Sequence, residues 1–117
     1  LVALFLPEDI NHEKAKKVFE KEDLFLIPED MVKETLTVIC YKKGIKCVKE
    51  VWKLISNSDV FEIITEEYKK LVSFYISLNR KISYFDTCVI YFTFLNDCEP
   101  CSFDKKLLSL WKGLRNQ

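Results

Sequence analysis

The chain has 117 residues, 49% hydrophobic and 31% charged, and its 18 basic and 18 acidic side chains cancel to a formal net charge of zero. Such a chain is one globular domain with a real core. This excludes a disordered polymer and a protein held on nucleic acid by global basic charge. No apolar run approaches the roughly 20 residues that span a bilayer, so no membrane contact is expected. The five cysteines are odd in number and partly inside apolar periodic segments, which suits a reducing compartment such as the cytoplasm.

Leu1–Leu6 is apolar and stops at Pro7, so it is a helix end or a buried strand. It is too short, and lacks the basic flank, for a signal peptide. Without an initiator Met, the chain is expected to begin inside a longer sequence. Asn11 can cap a helix from His12 to about Lys21, with Ala15, Val18 and Phe19 on its apolar face. Leu24–Ile27 predicts a short buried strand closed by Pro28. From Glu29 to about Lys43, Met31, Val32, Leu36, Val38 and Ile39 recur at helical spacing, and Gly44 ends that helix.

Ile45–Ser56 predicts a second amphipathic helix with Val48, Val51, Trp52 and Ile55 inward. Lys42, Lys43, Lys46 and Lys49 read as solvated helix ends around Gly44. After the turn at 57–59, Val60–Ile64 is β-branched and predicts a strand. A helix then starts at Thr65 and runs to about Leu78, before the polar break at Asn79, Arg80 and Lys81.

Phe85–Leu95 pulls two ways. Val89-Ile-Tyr-Phe-Thr-Phe has the content of a strand. Its length without Gly or Pro, and a capping box of Ser83 with Asp86, argue for a helix buried on most sides. Pro100–Phe103 predicts a third short strand, and Asp104 the N-cap of a last helix through Leu110. Three strands alternating with helices imply a parallel sheet with helices on both faces. Asp104 would then lie just beyond a strand's carboxyl end, where open α/β sheets take their ligands.

These pieces carry a resemblance. Asp86-Thr87 opening an apolar helix, then a strand ending in Ser102-Phe-Asp-Lys-Lys-Leu, resembles the C-terminal half of a PIN-domain nuclease. Leu1 to Ala15 resembles that family's first helix, loop and second helix. Ile27-Pro-Glu-Asp-Met-Val-Lys-Glu34 resembles its second strand running into a helix with an acidic residue. The match covers nearly the whole chain, in order, and its motifs are specific together rather than singly. It tips Phe85–Leu95 to helix. The implied fold is an α/β, PIN-like three-layer sandwich forming a single domain over residues 1–117, N-terminally incomplete. The family's first strand and the Asp that ends it would fall before Leu1, and neither Glu8 nor Asp9 substitutes for that Asp.

The resemblance implies a metal-dependent endoribonuclease, with Glu34, Asp86 and Asp104 holding Mg²⁺ or Mn²⁺ and Ser102 orienting a carboxylate or water behind them. Lys105, Lys106, Arg80 and Lys81 are the expected RNA contacts. Small PIN proteins of this kind are often VapC-like toxins of VapBC toxin–antitoxin pairs, so an antitoxin partner and a homodimer are expected. Local sequence also allows plainer roles: Asp86 as a capping acid, Asp104 as an N-cap, and Glu34 on a solvated helix face away from Val32, Leu36 and Ile39. A rival reading is a PIN-like interaction module without catalysis. A third is a thiol or zinc protein built on Cys98-Glu-Pro-Cys101. That pair stands before a strand rather than at a helix start, and no second close pair completes a zinc site. His12, the only histidine, reads as a surface residue.

Overall fold

Helices dominate the computed structural model, which describes all 117 residues. In chain order the elements are α1 (Val2–Phe5), α2 (His12–Lys21), β1 (Phe25–Pro28), α3 (Glu29–Lys43), α4 (Ile45–Asn57), β2 (Phe61–Ile64), α5 (Tyr68–Leu78), α6 (Tyr84–Leu95) and α7 (Lys105–Arg115). The chain divides into two compact units, Leu1–Ile64 and Thr65–Gln117.

In the first unit β1 and β2 pair in parallel, Phe25 opposite Phe61 and Ile27 opposite Ile63. Parallel neighbours need a long crossover, and α3 with α4 supply it. Those helices meet at one residue. Gly44 has φ 88° and ψ 173°, and its N–H donates to the Cys40 carbonyl at 2.9 Å. Only glycine holds that backbone without strain, so the chain stops one helix and starts the next there. Leu6, Ile39, Val51 and Ile55 form the buried centre of this unit, flanked by Phe5, Leu36, Val48 and Ile63. Burying each such side chain contributes about 1.5–3 kcal/mol. Phe19, Phe25 and Phe61 close the far end of the sheet, with ring centroids 5.3–6.2 Å apart. His12 is no loose surface group: its Nδ1–H donates to the Ala3 carbonyl at 2.8 Å and ties α2 to α1.

The second unit is α5, α6 and α7, centred on buried Ile90, Leu107 and Trp111 with Phe74, Ile82 and Leu114 around them. The 85–95 stretch is helical. Thr87, Cys88, Ile90, Phe92 and Thr93 are all buried, so its apolar surface wraps most of the helix. Its two threonines satisfy their hydroxyls inside the helix, Thr87 on the Ser83 carbonyl at 2.9 Å and Thr93 on the Ile90 carbonyl at 2.7 Å. This is how a threonine hydroxyl is satisfied inside a helix.

Three local expectations fail. Pro100–Phe103 is irregular, and the sheet has two strands rather than three. A strand exists only through its ladder, Pro100 has no N–H to give one, and the second unit holds no other strand. Asn11 makes no side-chain cap. Its own N–H is instead taken by Asp9 Oδ1 at 2.8 Å. Trp52 is 43% exposed rather than inward, at the edge of the Val48–Val51–Ile55 stripe about 40° beyond Val48. No helix is long and apolar enough to cross a membrane.

Candidate functional site

Two of the three predicted carboxylates stand at helix N-termini of the second unit. After α5, Asn79 turns the chain with φ 49°, and the exposed Arg80 and Lys81 lead into extended Ser83. Ser83 Oγ accepts the Asp86 N–H at 3.0 Å, fixing the first turn of α6 with Asp86 in it. Asp104, itself extended, is the N-cap of α7. Its Oδ1 accepts from the N–H groups of Lys106 at 2.9 Å and Leu107 at 3.3 Å. The positive end of each helix favours the anion placed there.

The two ends converge on one core. Ile90, one turn after Asp86, and Leu107, one turn after Asp104, belong to the same buried cluster. Each carboxylate therefore stands about one 5.4 Å turn from shared apolar packing. The ion pairs of the chain, Lys33–Glu29 and Lys43–Glu8, each at 3.0 Å, involve neither acid. Ser102 does not reach the carboxylate. Its Oγ accepts the backbone N–H of Asp104 at 3.0 Å and so sets the backbone that carries it. Lys105 and Lys106 are exposed in the first turn of α7.

Glu34 belongs to the first unit, where it is exposed on α3 beside the buried Thr35. In neither unit do three or more His, Cys, Asp or Glu side chains gather as they would to cage a metal ion. The donor chemistry of Asp86 and Asp104 nevertheless suits a hard cation. Mg²⁺ keeps several waters and is commonly held by one or two carboxylates together with substrate phosphates. Asp104 has one oxygen committed to its cap, and neither acid is tied up by a cation side chain.

The cysteines take no part. No disulfide joins any of them. Local shielding, and then the Asp97 carboxylate beside it, push the thiol of the surface-exposed Cys98 above its ordinary range. An activated thiol needs the opposite shift. Sequence reasoning also passed over Trp111, whose buried Nε1–H has no partner while the Arg115 guanidinium sits 5.1 Å from its ring centroid.

Mycobacterium tuberculosis VapC20, a toxin that cleaves the sarcin–ricin loop, superimposes with a TM-score of 0.80 over 93% of this chain and 88% of its own. The chain has the PIN fold of the VapC toxins. At 16% identity the likeness is one of backbone rather than side chains. It bears out the sequence's resemblance and its mixed α/β class, mostly helical around a small parallel sheet. No protein-family model matches the sequence, and no curated protein matches it.

Proposed function

We propose that this chain is the PIN-fold part of a metal-dependent endoribonuclease of the VapC-like toxin type. One observation carries the reading: Asp86 and Asp104, free of ion pairs, start two helices that pack on one core, in the fold of an RNA-cleaving toxin. In the proposal they hold Mg²⁺ or Mn²⁺, with Glu34 as the third acid that the family resemblance implies. Such a cation supplies charge stabilisation at phosphorus and a more acidic bound water.

The chain's own groups do the positioning. Ser83 holds the turn that carries Asp86, and Ser102 with the α7 amides holds Asp104. Lys105 and Lys106, with Arg80 and Lys81, are placed in the proposal on the phosphates flanking the scissile bond. A homodimer, an antitoxin protein as inhibitor and a cytoplasmic setting belong to the same proposal. The absence of a three-residue ligand group within either unit favours the rival, a PIN module that binds without cleaving.

Cleavage of RNA by the full-length protein separates the two. The nuclease cuts with Mg²⁺ or Mn²⁺, stops in chelator, and is silenced by Asp86→Asn or Asp104→Asn. Cleavage that survives chelator and both substitutions defeats the proposal, and binding without any cleavage selects the module.

A further inference from the structure

The chain is neutral overall, yet its charge is not evenly spread. From Lys42 to Lys53 stand five lysines and a single acid, Glu50, a net +4 in twelve residues. Lys43 is taken by Glu8 at 3.0 Å. Lys46, Lys49 and Lys53 are exposed on α4 and belong to no ion pair. At 100° per residue these three fall within about 60° of one another, opposite the buried Val51 and Ile55. Trp52 adjoins Lys49 on the same side, 43% exposed.

Simple solvation explains Lys42 and Lys43, which sit in the last turn of α3 where the helix end is negative. It does not explain Lys46 and Lys49. Lys46 occupies the opening of α4, the positive end, where an acid is preferred and none is present, and Lys49 follows in the next turn. Local rules broken on a surface, with an exposed tryptophan beside the break, point to function.

We propose that this face of α4 is an RNA-contact surface separate from the acidic residues, gripping the substrate's backbone with Lys46, Lys49 and Lys53 and stacking an unpaired base on Trp52. Lys46 to Lys53 spans about 10 Å along the helix at 1.5 Å per residue, room for more than one phosphate of a strand. An aromatic face accepts any base, whereas an acidic peptide has no use for it. The identity of the ligand rests on the ribonuclease reading.

The test is titration of the full-length protein with an end-labelled single-stranded RNA, in chelator so that nothing is cut, between about 50 and 200 mM salt. Replacing Lys46, Lys49 and Lys53 together by Gln should lower the slope of log affinity against log salt by about 2, near 0.7 per phosphate contact. Glu50→Lys should raise it by about 0.7, a gain that a damaged fold cannot mimic. Trp52→Ala should weaken binding about tenfold with the slope kept, and Trp52→Phe should restore most of the loss.

An unchanged slope in the folded triple variant and in Glu50→Lys overturns the surface. So does a triple variant that loses only its adsorption to phosphatidylserine vesicles while holding RNA as before, which would assign the face to anionic lipid. Lysine-dependent binding without cleavage when metal is restored sinks the nuclease reading and leaves the surface standing. Cleavage with lysine-independent binding does the reverse.

Discussion

Asp104 carries two separable duties, and a pair of substitutions pulls them apart. As an N-cap it satisfies two amides of α7, at 2.9 and 3.3 Å. It is also the acid at a helix start whose first turn has no other. Losing a cap costs about 1 kcal/mol, and losing an anion at an exposed helix start about 0.5 kcal/mol more. Asp104→Ala loses both, about 1.5 kcal/mol, which at roughly 4–8 °C per kcal/mol lowers Tm by about 6–12 °C. Asp104→Asn keeps an oxygen for the amides and loses the charge alone, a fall of about 2–4 °C. Both should abolish metal-dependent cleavage. Thermal denaturation followed by circular dichroism, beside an RNA cleavage assay, reads the two duties separately. Equal falls for Ala and Asn would show that the cap bonds contribute nothing. A rise for Asn would show that repulsion from neighbouring carboxylates outweighs both terms, and either result refutes the reasoning.

The two glycines should respond with opposite signs. Gly44→Ala meets no atom within 4 Å, yet φ 88° strains any L side chain, so urea unfolding should show a loss of about 1–3 kcal/mol. Gly113→Ala, inside α7 and equally open, should gain about 0.5–1 kcal/mol in the same assay. Ile90→Ala, at full burial in the second unit's core, should cost about 2–5 kcal/mol. Because local shielding and Asp97 disfavour the thiolate of Cys98, its alkylation should need a higher pH than that of a model thiol, and Asp97→Asn should bring that pH down. Rapid modification of Cys98 at neutral pH would contradict this.

Local chemistry was readable in the sequence, and partnership was not. The end of α3 at Gly44, the caps Ser83 and Asp104, and the helical state of 85–95 depend on residues within one turn of each other. Pro100–Phe103 had a strand's flanks but no partner to pair with, and pairing is a property of two segments. Asn11 lost its cap to Asp9 two residues upstream, a competition that residue preference does not rank. The three candidate acids divide the same way. Asp86 and Asp104 announced themselves as helix-start acids. Nothing in the period of α3 separates Glu34 from an ordinary solvated residue, and the structure leaves it exposed. The Ser102 hydroxyl accepts the backbone N–H of Asp104, a contact two residues apart and so within local reach.

The chain has two tryptophans, and the fold gives one to each unit in opposite surroundings. Trp52 faces water from α4, while Trp111 is 5% exposed in the core of the second unit, under the Arg115 guanidinium. Indole emission shifts to the red in water and to the blue in an apolar pocket, so the molecule carries a built-in two-colour reporter. Unfolding of the second unit moves the blue component, and the red one answers to whatever settles on α4. Trp52→Phe and Trp111→Phe each leave a single clean signal. Denaturation curves of the two would then report whether residues 1–64 and 65–117 melt together or one after the other.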